Sequence, residues 1–350
     1  MDVRQFSSDK ILKHIDRVND WLSGCNPPPI TVEIDMTNLC NHKCPECVSS
    51  YFRMPDASSL SKELSSRIIG ELKEAKIRGL IFTGGGEPLC NVYTIGAVEL
   101  AKGLGLDIGF ITNGALLDKD AGRTLLNCCT WIRISMDASD EVMFQKTHGM
   151  NGKEFKLILE NVKELANIKR QTGSSCTIGV GYLTSEATIS GMTDAAKVCS
   201  RMNVDYIQFR PMQIHHGGKF DYHWADADKH IEECLKYSRN GYKVLFSRHK
   251  YDMMKDAKFG RNYGKCYGHQ FATVISASGK MYVCCHLRGY EKYCIGDLRQ
   301  NSFEEIWNSE HRKKVCEGID FKDCIPLCRD NTFNQILWNI KEPREHVNFL

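Results

Sequence analysis

No apolar run in this chain approaches the roughly 20 residues needed to span a bilayer, so nothing in it reads as a membrane helix. The first residues, Met1-Asp2-Val3-Arg4-Gln5-Phe6, lack the apolar centre of a secretory signal peptide. No fixed-period repeat and no low-complexity segment appears. An excess of one charge is missing too. Against 43 Asp and Glu stand 46 Lys and Arg, and the net charge of +3 is too small to argue for nucleic acid or an anionic membrane as partner. Cysteine, by contrast, is plentiful: 17 in 350 residues. A chain this long is no small secreted disulfide scaffold, so the expectation is a cytoplasmic protein whose thiols serve metal ligation. The length suits one large domain and a smaller one, and 42% hydrophobic with 25% charged residues is ordinary for a globular chain.

Three cysteines stand together in Leu39-Cys40-Asn41-His42-Lys43-Cys44-Pro45-Glu46-Cys47, at the spacing C-x3-C-x2-C. They follow a strand-like run, Ile30-Thr31-Val32-Glu33-Ile34-Asp35. Three thiolates on one tight loop suit three irons of a cubane cluster and leave the fourth iron open. An open metal position marks a catalytic rather than a closed structural site. The plainer readings are a zinc site with His42 as fourth ligand, or three incidental buried thiols. The loop resembles the signature of the radical SAM superfamily, in which the fourth iron binds the amino and carboxylate groups of S-adenosylmethionine.

Hydrophobic periodicity predicts strands and helices in alternation. A helix over Asp9–Ser23 precedes strand one, carrying Ile11, Leu12, Ile15, Val18 and Leu22 at helical spacing. Further strands are expected at Gly79–Thr83, Ile108–Thr112, Trp131–Met136, Cys176–Tyr182 and Tyr206–Arg210, with helices between them. Such alternation calls for right-handed crossovers and a parallel sheet. Six units are too few for a closed eight-stranded barrel, and the resemblance implies an α/β fold, a partial (β/α)6 TIM-like barrel. Chemistry in such barrels sits on loops at the C-terminal ends of strands, where the cysteine loop falls. The expected organisation is an N-terminal helix and proline-rich lead-in over 1–29, a core over 30–215, a helical connector over 216–260, a cluster domain over 261–330 and a tail over 331–350.

After strand two comes Thr83-Gly84-Gly85-Gly86-Glu87-Pro88. Glycines let backbone approach a ligand closely. The resemblance implies that Gly84, Gly85, Gly86 and Glu87 meet the methionine amino group. It also implies that Asn113, Ser135 and Asp137, at the ends of strands three and four, touch the cofactor's ribose or carboxylate. A turn or a helix N-cap is the plainer reading of these three. Tyr182 is expected near the adenine, as are Tyr51 and Phe52, because Glu46 stands where the family usually has an aromatic residue. Arg210, ending strand six, is expected to reach the mouth as a cation for a carboxylate or radical intermediate, with a surface salt bridge as the alternative.

A second cysteine set begins at Cys266, followed by twelve residues, Gly279, four more and Cys284. Two β-rich runs around Ala277-Ser278-Gly279 read as a hairpin. Ser302-Phe303-Glu304-Glu305 opens a helix with a capping box, and Cys324-Ile325-Pro326-Leu327-Cys328 follows. This segment resembles the twitch or SPASM extension of radical SAM enzymes. The C-x2-C-x5-C run of the longer SPASM pattern is missing. The expectation is therefore the twitch form, with one auxiliary [4Fe–4S] cluster on Cys266, Cys284, Cys324 and Cys328; zinc is the alternative. Cys285, Cys294 and Cys316 are left over.

The resemblance implies reductive cleavage of S-adenosylmethionine and hydrogen abstraction from a small polar substrate such as a sugar, aminocyclitol or nucleoside. An electron donor such as flavodoxin or ferredoxin is the expected partner. A peptide-modifying maturase is the second reading, disfavoured by the short stretch before strand one, and a non-catalytic iron–sulfur or zinc sensor is the third.

Overall fold

The computed structural model describes residues 8–213, 225–256, 260–342 and 345–348. Ten strands form one sheet: β1 Thr31–Asp35, β2 Gly79–Thr83, β3 Asp107–Thr112, β4 Trp131–Ser135, β5 Thr177–Thr184, β6 Tyr206–Pro211, β7 Lys243–Phe246, β8 Ala272–Ile275, β9 Lys280–Tyr282 and β10 Cys294–Asp297. Their order is β10-β9-β8-β1-β2-β3-β4-β5-β6-β7. From β8 through β1 to β7 every neighbouring pair is parallel, while β9 and β10 add on antiparallel. β7 and β10 end the sheet without pairing to each other, so the barrel is open.

The six expected strands are all present. β7 lies in the stretch read as helical, where Lys243-Val244-Leu245-Phe246 is too short a run to announce itself. The hairpin differs more: β8 pairs in parallel with β1, Val32 opposite Thr273, and so extends the barrel sheet instead of standing apart. Nothing in local sequence specifies a partner 241 positions away; it is chosen by burial of both strands. The N-terminal helix also differs. Ser8–His14 is a 3-10 helix and only Ile15–Leu22 is α-helical. The tighter turn shifts the register, so Ile11, Val18 and Trp21 are buried while Leu12, Ile15 and Leu22 are exposed.

Alternation along the strands makes two kinds of surface. On the helix side, Ile34, Phe82, Phe110, Ile134, Val180 and Phe209 are fully buried and join one core. On the inner side stand Glu33, Asp35, Thr83, Arg133, Ser135, Leu183 and Arg210, a polar lining that a strand buried on both faces does not ordinarily carry. Two inner glycines make room for aromatic rings. A Cβ on Gly109 would lie 2.2 Å from the Trp131 ring, and one on Gly179 1.9 Å from that of Tyr206. These two rings narrow the barrel toward the N-terminal ends of its strands, where with Arg133 and Arg78 they line a cavity of about 500 Å³. The cysteine and glycine loops stand at the other end, and the candidate site is there.

Candidate active site

The loop after β1 and the glycine loop after β2 meet backbone to backbone. Gly86 N–H donates to Thr37 O at 3.0 Å, and Glu87 N–H to Leu39 O at 2.9 Å. A Cβ on Gly86 would stand 1.9 Å from Leu39 O, and one on Gly85 2.2 Å from Asn38 Oδ1. Glycine is the residue that tolerates this approach. The contact holds Cys40, Cys44 and Cys47 on the wall of a cleft of about 230 Å³, with Gly84, Gly85, Gly86, Glu87, Asn113, Ser135 and Asp137 lining it too.

Glu87 is buried and its carboxylate is occupied. It accepts from Thr112 Oγ1 and Asn113 N–H, both at 2.7 Å, and from Leu89 N–H at 3.2 Å. Burial lifts it to about 7, against the pull of these hydrogen bonds. Asn113 Nδ2 donates to Asn41 Oδ1 at 2.8 Å, tying the end of β3 to the cysteine loop. Asp137 accepts from Leu183 N–H at 2.7 Å, and burial raises it to about 6.

Three expectations need correction. Tyr182 points away from the cleft: the strand's period of two turns Gly181 and Leu183 inward and Tyr182 outward. Its hydroxyl donates to Thr188 O at 2.7 Å, and its ring packs on Phe209 in the core. Arg210 is neither at the mouth nor in a surface salt bridge. It stands opposite Leu183 inside the barrel, where burial and the nearby Arg133 pull it down to about 9. Tyr51 and Phe52 pack together beside Arg288 and do not line the cleft, although the Phe52 ring backs Gly85, where a Cβ would come within 2.7 Å of it.

Around the first cysteine set lie residues that local sequence did not single out. His148 Nε2 accepts from Asp137 N–H at 3.2 Å, so its neutral form carries the proton on Nδ1. That atom is 3.3 Å from His42 Nδ1 and 3.8 Å from Cys44 Sγ. His42, Cys44 and His148 bring one ligand atom each within 4.8 Å of one another. Burial holds both imidazoles neutral, His42 down to about 4 and His148 to about 3. The helix Glu141–His148 ends at Gly149 in the left-handed region, φ 63°, where a Cβ would strike Lys43 O at 2.3 Å. So the helix end packs on the cysteine loop. Arg53 hydrogen-bonds Cys47 and faces the other two thiols. Burial pushes Cys44 up to about 12, so its thiol stays protonated until a metal ionises it.

Cys266, Cys284, Cys324 and Cys328 line a second cavity, with Tyr263, His269 and Asp330. All four thiols are raised by burial. The left-over cysteines sit elsewhere. Cys285 faces Arg329 and Glu33, Cys294 lies on β10, and Cys316 lies beside Arg312 on the helix Glu310–Glu317.

Three thiols gather on one open cleft and four around a small second cavity. Comparison with known proteins decides the family. Residues 34–189 match the radical SAM superfamily model, and residues 266–330 match SPASM, an iron–sulfur cluster-binding domain. The chain belongs to the radical SAM superfamily. Its relatives are distant. It is 21% identical to the tungsten-containing aldehyde ferredoxin oxidoreductase cofactor-modifying protein of Pyrococcus furiosus, over 85% of each chain. It is also 21% identical to the PqqA peptide cyclase of Bradyrhizobium diazoefficiens, over 84% of this chain and 80% of that one. The structure of Streptococcus suis SuiB bound to precursor peptide SuiA superposes with a TM-score of 0.68 at 14% identity, covering 97% of this chain and 81% of SuiB.

A radical SAM domain carries a [4Fe–4S] cluster with S-adenosylmethionine, and a SPASM domain carries auxiliary iron–sulfur chemistry. The residues present fit both groups. The first set offers three thiols on an open cleft beside a glycine cradle, and the second offers four thiols around a closed one.

Proposed function

We propose that this radical SAM enzyme abstracts a hydrogen atom from a small polar substrate held inside the barrel, between its two cluster sites. Cys40, Cys44 and Cys47 hold the cluster that binds S-adenosylmethionine, and Cys266, Cys284, Cys324 and Cys328 hold a single auxiliary [4Fe–4S] cluster. When bound and reduced, the first group supplies a 5′-deoxyadenosyl radical and the second accepts an electron. Gly84, Gly85 and Gly86 orient the cofactor's methionine end. Ser135, Asp137 and Asn113 offer polar groups to its ribose or carboxylate, and Arg210 offers the substrate a cation. A flavodoxin- or ferredoxin-type donor supplies the electron.

One observation supports this reading above the others. Arg329, next to the ligand Cys328, forms an ion pair with Glu33 on the inner face of β1, so the auxiliary site borders the same interior as the cofactor cleft. A substrate between them has an electron acceptor within the same chamber, which suits dehydrogenation better than redox-neutral epimerisation.

The reading is tested by iron and 5′-deoxyadenosine measurements on anaerobically reconstituted protein. A Cys40/Cys44/Cys47→Ala variant is expected to lose about half its iron and all cofactor cleavage, whereas Cys284→Ala loses product but keeps cleavage. Cleavage by the triple variant would sink the assignment.

A peptide-modifying activity is the second reading, favoured by the relative named as a PqqA peptide cyclase and the likeness to SuiB with its precursor peptide. The low-molecular-weight filtrate of a cell extract and its retained peptide fraction separate the two. The first reading requires the filtrate to accelerate 5′-deoxyadenosine formation; acceleration by the peptide fraction alone establishes the second.

A further inference from the structure

Below the cofactor cleft, the side chains of Arg133 and Arg210 meet with no counter-ion in hydrogen-bond contact; the Arg133 guanidinium also lies over the Trp131 ring, 6.0 Å from its centroid. Arg133 on β4 lies opposite Gly179, and Arg210 on β6 lies opposite Leu183. Between them, on β5, is Gly181. A Cβ there would be 3.3 Å from Arg133 Cδ and 3.4 Å from Arg210 Nη2, so the two side chains converge over an inner position that carries no side chain. Both Nε atoms are buried without a hydrogen-bond partner. Lys250, from the helix Arg248–Lys255, faces Arg210 from the third side and also lies near Cys328.

The carboxylates nearby are committed elsewhere. Glu33 pairs with Arg329, which also contacts Asp330 at 3.5 Å. Asp137 accepts the Leu183 N–H and is the carboxylate that faces both guanidiniums. Among the described residues, Arg133, Arg210, Lys250 and Arg329 thus face Glu33, Asp137 and Asp330, and none of Arg133, Arg210 and Lys250 forms a hydrogen bond or ion pair through its side chain. All three side chains are half-buried, and even partial desolvation of unpaired cations is costly. Burial, followed by their mutual repulsion, pulls Arg210 down to about 9 and Lys250 to about 8. A structure that holds like charges together in this way is relieved by an anion.

We propose that Arg133 and Arg210, backed by Lys250, bind an anionic group of the substrate, a carboxylate or a phosphate, inside the barrel. The proposal deepens the reading of this chamber as the substrate site. A planar guanidinium offers two parallel donors to either group. Anchoring one end of the substrate here, beside Asp137 and Leu183 of the cleft wall, orients its remainder toward the cofactor.

The test is calorimetric titration of the reconstituted holoenzyme with inorganic phosphate and, separately, with acetate, in wild type, Arg133→Gln and Arg210→Gln. S-adenosylmethionine binding is measured on the same samples. At least one anion is expected to bind wild type, and each substitution is expected to weaken it tenfold or more. The better-bound anion says whether the substrate carries phosphate or carboxylate. If neither anion binds, or if the variants bind as well as wild type, the proposal is overturned even where the cofactor binds normally. Failure of wild type to bind the cofactor would instead defeat the underlying reading. Should Arg210→Gln not take up iron, Arg210→Lys, which keeps the charge but loses the fork, takes its place. Affinity equal to wild type for both anions in that variant would overturn bidentate binding.

Discussion

Arg288 Nη1 lies 2.5 Å from Asp35 Oδ1, a buried ion pair that joins the end of β1 to the loop after β9 across 253 positions of chain. The same guanidinium reaches Ser49 Oγ at 3.5 Å and lies over the Phe52 ring at 4.8 Å. The segment bearing Cys284 is thereby fastened to the chain on either side of Cys40, Cys44 and Cys47. Removing one partner leaves the other charge buried and alone, at a cost of about 3 kcal/mol or more. Asp35→Leu and Arg288→Met are each expected to lower the unfolding midpoint sharply. The double variant Asp35→Leu/Arg288→Met is expected to be less damaged than the two single losses added together. Denaturant titration of the three proteins checks this, and strict additivity would show that the pair is not coupled.

Glycine-to-alanine substitutions separate close approach from simple chain entropy. Gly86→Ala forces a Cβ to within 1.9 Å of Leu39 O, so the two loops must part. Equilibrium dialysis with S-adenosylmethionine is expected to show at least tenfold weaker binding. Gly70, in the helix Lys62–Glu74, has nothing within 4 Å of its ideal Cβ. Gly70→Ala is expected to raise stability by about 0.5–1 kcal/mol and leave cofactor affinity alone.

His148 positions a cluster ligand and does not itself ligate in the proposed scheme. Its Nδ1–H is aimed at the pair formed by Cys44 Sγ and His42 Nδ1. Partners of this kind change metal affinity by about 10–100-fold when lost. His148→Phe is expected to retain the fold but release iron faster to a chelator and shift the cluster's reduction potential. Release kinetics and a potentiometric titration followed by electron paramagnetic resonance provide the check. Unchanged values in both would assign His148 to packing alone.

Glu87 gives the cluster-free protein a pH dependence of unusual sign. Its carboxyl is raised from 4.5 to about 7 by burial, so the folded state holds a proton that the unfolded state releases. Stability from this group is fully present below about pH 4.5 and is lost as pH rises toward 7. Glu87→Gln, which cannot titrate, is expected to flatten the unfolding midpoint across that window. A wild-type midpoint that rises with pH over the same range, with the variant tracking it, would contradict the assignment.

Much of the barrel was legible along the chain. Helix and strand periods differ, and turn chemistry separated them, so β1 to β6 and the capping box at Ser302, whose side chain accepts from Glu305 N–H, are local facts. The grouping Cys40-x3-Cys44-x2-Cys47 was legible for the same reason, since so short a spacing confines three thiols to one loop, whereas it is the fold that brings Cys266 and Cys284 to one cavity with Cys324 and Cys328. β7 and the parallel pairing of β8 with β1 were not, because strand pairing is settled by which faces are buried together. Tyr182 shows the finer limit. Its place on β5 was expected, but whether it or Gly181 faces the cleft depends on a register of one residue. The charged lining was read only in part: Arg210 was expected to serve the site as a cation, whereas Glu33 and Arg133, on neighbouring strands, were not singled out. That Arg133 and Arg210 meet over Gly181, that Arg288 finds Asp35 and that His148 reaches Cys44 were decided by the closing of the sheet, which brings distant side chains within the few ångströms over which hydrogen bonds and unscreened charges act.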